Sequence, residues 1–188
     1  MNKRLVHLCW LFALLVIMFV RSEGAFAQKP SASGTLSVQL QNGSGLQMTF
    51  QSNTSGVSLG NAGTSAASLA FGIVSAYGTP GTGITLVNGT STFTVSTLFN
   101  IDVQQSGLSS TSYTLSASLS AAAPTGITYQ IDSATLTTSS QSIQANGVYG
   151  NNIVHTFSAI VSTAASGSGG PTTGTQLTST INFTATAN

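Results

Sequence analysis

The sequence predicts an all-β chain whose folded part is a single antiparallel β-sandwich without a disulfide, behind a cleaved signal peptide. Three observations carry that expectation. Large apolar residues recur at every second position over short runs. Turn chemistry separates the runs at intervals of about ten residues, and the spacing of an amphipathic helix is almost absent.

The leader comes first. Lys3 and Arg4 form a basic start, an apolar run covers 8–20, and Ala25-Phe26-Ala27 supplies the small-x-small pattern at which signal peptidase cuts. That run is short of the roughly 20 residues a spanning helix needs. The expected division is therefore a signal peptide over 1–27, a flexible lead over 28–33 and the sandwich domain over 34–188, with no membrane span in the mature chain. Gly24 lies after the apolar run and Cys9 at its start, so neither type IV pilin nor lipoprotein processing fits.

Each strand follows from alternation. Leu36, Val38 and Leu40 alternate with polar residues up to Asn42-Gly43, and Leu46, Met48 and Phe50 alternate beyond it. Asn-Gly tolerates the positive φ angles of a tight hairpin. A second such pair, Asn88-Gly89, joins 84–87 to a long strand with Phe93, Val95, Phe99, Ile101 and Val103 on one face and Thr97 among them. Tyr113, Leu115, Ala117 and Leu119 continue the pattern. So do Ile127, Tyr129 and Ile131, a mixed run over 153–161, and Ile181, Phe183, Ala185 and Ala187. Residues 65–70 have room for one short helical turn, and loops are expected at 78–83, 121–126 and 166–174. Eight to ten short strands of this kind make a sandwich, Ig-like or pilin-like in general form.

Composition then limits the chemistry. Cys9, Trp10 and the only glutamate, Glu23, fall in the leader. The mature part keeps Lys29, Asp102, Asp132 and His155, one lysine against two aspartates. No disulfide framework and no thiol chemistry remain. Catalysis needs titratable or nucleophilic groups held together, and the inventory leads us to expect no enzyme and no cofactor. No G-x-S-x-G elbow accompanies His155, which lies between Ile153 and Phe157 as a hydrogen-bonded structural histidine would. Asp102 and Asp132 alternate out of apolar runs, as solvated carboxylates do. A transition-metal site wants three or four ligands that the chain barely owns, and one lysine cannot bind nucleic acid.

So few charges leave sheet edges without the lysines that normally block edge-to-edge pairing. The segment 34–41, with Leu36, Val38 and Leu40 on one side, has the form of a strand that a neighbouring subunit could accept. It equally has the form of the first strand of its own domain, paired through Asn42-Gly43. The export leader, this segment, the Leu69-Ala70-Phe71-Gly72 step and the alternating run over 181–187 together resemble secreted bacterial pilin-type and spore-coat-U-type β-sandwich surface proteins. The chain departs from those families in lacking their frequent cysteines and in ending on Ala187-Asn188. The resemblance implies a structural protein of the cell surface: a subunit of a pilus (fimbrium), coat or similar extracellular self-assembly, exported through the periplasm. Its partners would be further copies or neighbouring surface subunits, and a periplasmic chaperone.

The alternative is a glycan- or surface-binding adhesin module without catalysis. Four tyrosines are available for it. Tyr113 and Tyr129 fall in phase with apolar neighbours and belong to the core. Tyr149, in the open-looking stretch 146–152 beside Asn151 and Asn152, is the candidate ligand contact, ahead of Tyr77.

Overall fold

The computed structural model describes residues 45–163 and 177–188. The chain runs as β1 (Gly45–Ser52), β2 (Thr85–Asn88), β3 (Thr92–Ser106), β4 (Ser112–Leu119), β5 (Ile127–Ile131), β6 (Ala134–Thr135), β7 (Gln141–Val148), β8 (Asn152–Ser162) and β9 (Ile181–Ala187). No helix occurs among the described residues. The leader, the segment with Leu36, Val38 and Leu40, the Asn42-Gly43 turn and the 166–174 loop lie outside them.

Two antiparallel sheets form a sandwich. The larger has the order β1-β3-β8-β5-β6, with β2 also on β3, and the smaller has the order β7-β4-β9. β3 is the spine. Val95, Thr97, Phe99, Ile101 and Val103 are buried while the residues between them are half-exposed, as a period of two demands. Its length lets one edge take two partners end to end, β1 against Phe99 to Ser106 and β2 against Phe93 to Ser96. From the other sheet, Tyr113, Leu115, Ala117 and Leu119 of β4 face this set, all buried. Each large apolar side chain so enclosed contributes roughly 1.5–3 kcal/mol over leaving it in water.

Several local details differ from expectation, each for a physical reason. Residues 65–70 form no helical turn. Gly60 and Ser68 exchange two backbone hydrogen bonds of 2.9 Å, and Phe50 N–H donates to the Thr64 carbonyl at 2.9 Å, so the segment spends its backbone groups across the chain instead. Asn88-Gly89 does not make a two-residue turn. The closing pair is Asn88 with Phe93, and Gly89 N–H donates to the Thr92 carbonyl at 2.7 Å. The tight turn is elsewhere: Ile131 pairs with Ala134, and the two residues between them, Asp132 (φ 48°) and Ser133 (φ 73°), are both left-handed. Two positive φ angles give a hairpin the twist its strands need.

Thr97 ties loops to the spine. Its buried hydroxyl accepts from Val57 N–H at 2.9 Å and donates to the Gly83 carbonyl at 2.8 Å. Gly56 makes that approach feasible, because a Cβ there would sit 1.9 Å from the Leu98 carbonyl oxygen.

Candidate functional site

The sandwich has two side seams, and they are built differently. At one, residues 136–140 cross from β6 to β7. Leu136 is 4% exposed, and Leu119 N–H at the end of β4 donates to the Thr137 carbonyl at 2.8 Å. The chain itself therefore closes this side. At the other, β1 and β9 are the outermost strands of their sheets, and Phe50 meets Phe183 edge-on with ring centroids 5.1 Å apart. Leu46, Met48, Phe183 and Ala185 are half-buried along this seam, packed against the core but not covered by it.

Among the described residues, the outer edge of β1 is covered at one end only. Phe50 uses both backbone groups on the 61–64 loop, donating to Thr64 and accepting from Gly63 N–H at 2.7 Å. In an antiparallel ladder, backbone groups alternate between the two edges. Leu46 and Met48 thus direct theirs the same way as Phe50. Among the described residues no strand pairs with that stretch or with the outer edge of β9.

The outward face of the smaller sheet is carpeted with uncharged groups. Ser116 lies between Ser142 and Thr184, Thr114 opposite Thr186, and Ser118 opposite Asn182. The terminal Asn188 is locked to that sheet, accepting from Thr114 Oγ1 at 2.8 Å and donating to Ser112 Oγ at 2.9 Å.

The tyrosines are not distributed as the sequence suggests. Tyr149 is half-buried: its hydroxyl donates to the Ser112 carbonyl at 2.9 Å, and its ring lies 5.3 Å from that of Tyr113. Residues 146–148 belong to β7 rather than to an open loop. Tyr149 is thus a strut between the β7–β8 turn and β4. Tyr113 is fully enclosed, pressed so closely on Gly147 that a Cβ there would lie 2.4 Å from its ring. Tyr129 is buried as expected. The exposed tyrosine is Tyr77, at 96%, with Ile73 fully exposed on the same loop. The signal for Tyr77 was available in the sequence, since it stands outside every alternating run and next to Gly78.

The chain matches no family model and no curated protein.

The fold brings Asp132 and His155 into contact. Asp132 Oδ2 lies 2.5 Å from His155 Nδ1, and Asp132 Oδ1 accepts from Thr156 N–H at 2.7 Å. Asp132 N–H donates in turn to the Thr156 carbonyl at 3.0 Å. The carboxylate expected on a solvated strand face is instead a clasp at a turn, with its side chain 35% exposed. It holds the left-handed hairpin end against β8. His155 is 2% exposed, Nδ1 lies against the carboxylate, and Nε2 is buried without a hydrogen-bond partner among the described residues. The His155 ring lies against Phe99, with ring centroids 5.8 Å apart.

Asp102 sits on the other face of β3, half-buried, accepting from Gln104 Nε2 at 2.9 Å. Burial pushes the Tyr113 hydroxyl above the ordinary phenol range, with smaller contributions from Asp102 and Tyr149. Among the described residues no three His, Cys, Asp or Glu side chains gather as metal ligands. No described helix is long and apolar enough to cross a membrane. Two hollows among the described residues are small as well. One of about 170 Å³ lies beside Pro124 and Ser179, below the 300–1,000 Å³ typical of small-molecule sites.

Proposed function

We propose that this chain is an exported structural subunit of a pilus, coat or similar extracellular assembly, joined to its neighbours by β-strand pairing at the β1–β9 seam. The observation that carries the proposal is the state of that seam. It has half-buried apolar side chains from both sheets, and two outer strands without a described partner along most of their length. An added strand with apolar residues on one side would complete either sheet and cover those side chains. The segment with Leu36, Val38 and Leu40 has that pattern. Supplied by a neighbouring copy, it makes a head-to-tail contact, and repetition of such contacts builds filaments. The leader, the resemblance to secreted pilin-type and spore-coat-U-type proteins and the near-absence of charge support the same reading.

Size analysis of the mature chain, with and without residues 28–41, tests it. Assemblies that vanish on deletion, while the remaining domain keeps its cooperative unfolding, are the expected outcome. A chain that stays monomeric at every concentration, with or without the segment, refutes it.

A further inference from the structure

We propose that the loop carrying Ile73 and Tyr77 is a docking tip for a neutral polysaccharide, with the Tyr77 ring as the platform on which a sugar stacks. The tip is braced. Phe71 stacks on Phe157 at 5.8 Å, Val74 packs against the core, and Gly78 N–H donates to the Ser75 carbonyl at 3.3 Å, closing the turn that carries Tyr77. Every other described aromatic ring pairs with a neighbour or packs on the core, whereas Tyr77 offers its ring to solvent.

Shape, charge and size select the ligand. The hollow at the base of the loop has a volume of about 30 Å³, room for about one water, so a ligand must lie across the tip rather than enter it. All four Lys and Arg residues of the sequence, Lys3, Arg4, Arg21 and Lys29, precede the described region. Among the described residues there is no Lys or Arg, so the described surroundings of the tip offer no cation to an anionic bilayer or a phosphate. A stable protein partner needs about 800 Å² from each side, while an aromatic side chain supplies about 150–250 Å². A single pyranose matches what is present. Its C–H face stacks on the ring, and the same loop carries Ile73 and the hydroxyls of Ser75 and Thr79, which line the hollow at its base.

This surface is separate from β1 and β9, so it and the assembly reading fail independently. The test uses the mature chain in pelleting assays with cellulose and chitin and on an array of neutral oligosaccharides, with phosphatidylcholine vesicles as control. Wild type is expected to bind at least one neutral glycan. Tyr77→Ala should weaken that binding by about tenfold or more and Tyr77→Trp should keep it within about threefold, the scale of one aromatic stack. Melting temperature and size distribution should stay unchanged in both variants. Absence of any neutral-glycan binding by wild type overturns the proposal. So does a Tyr77→Ala variant that binds glycan as wild type does, or one that loses vesicle binding or self-association instead. Lost self-association on deleting 28–41 with glycan binding intact would leave the tip standing.

Discussion

The two seams of the sandwich solve the same problem in opposite ways. Where β6 gives way to β7, five residues carry the chain across, Leu136 plugs the gap and a backbone bond from Leu119 seals it. Where β1 faces β9, Phe50 and Phe183 meet, yet Leu46, Met48 and Ala185 remain half-covered. A closed seam stabilises the monomer. A half-covered one leaves apolar area and backbone groups whose burial can stabilise an assembly instead.

The largest expected effect lies on the closed side. Leu136→Ala should cost about 2–5 kcal/mol in urea unfolding, the usual range for a large-to-small change in a core. Met48→Ala on the open side should cost the isolated domain about 1 kcal/mol or less, since little area is lost from a half-buried position, and under the proposed strand pairing it should weaken assembly. Equal costs for the two would abolish the contrast between the seams.

Asp132→Ala comes next. It leaves His155 Nδ1 and Thr156 N–H without the carboxylate and a left-handed residue without its clasp, so about 2–3 kcal/mol should be lost. The hairpin end beside the closed seam should then show faster amide exchange than β9. Loss spread evenly over both sides would mean that the clasp supports the whole fold rather than one flank.

Tyr113→Phe, at the centre between the seams, should be the mildest, within about 1 kcal/mol of wild type near neutral pH because its hydroxyl has no partner to lose. It sharpens the picture through pH. The folded phenol titrates above its ordinary value of 10.0, so the unfolded chain releases its proton first and stability falls as pH rises from there through the folded value. The variant should lose that part of the alkaline slope. An unchanged slope in alkaline unfolding curves would place the cause elsewhere.

Alternation made most of the sandwich legible. The face of β3 from Val95 to Val103, the buried face of β4 and the inward residues of β5 all follow a period of two, because burial on one side of a sheet leaves that mark directly in the residue order. β7 left no such mark. Its only large apolar residues are Ile143 and Val148, and its register against β4 shifts twice, between Gly147 and Gln144 and between Gln144 and Ser142. With β7 hidden, the stretch before Tyr149 looked open and the tyrosine looked exposed. Turn chemistry misled in the same manner. Asn-Gly is the commonest residue solution to a tight hairpin, but Asp132-Ser133 adopts one because its carboxylate is held by a histidine 23 positions away. No local pattern records a partner so distant. The candidate assembly strand with Leu36, Val38 and Leu40 has a pattern in the sequence and lies outside the described residues.

The carpet of serine, threonine and asparagine side chains on β4 and β9 has a consequence for where such a molecule can work. Ionic strength acts on proteins largely by screening their charges, and this exterior offers it two described carboxylates and no described cation. Fresh water and brine should look much alike to it.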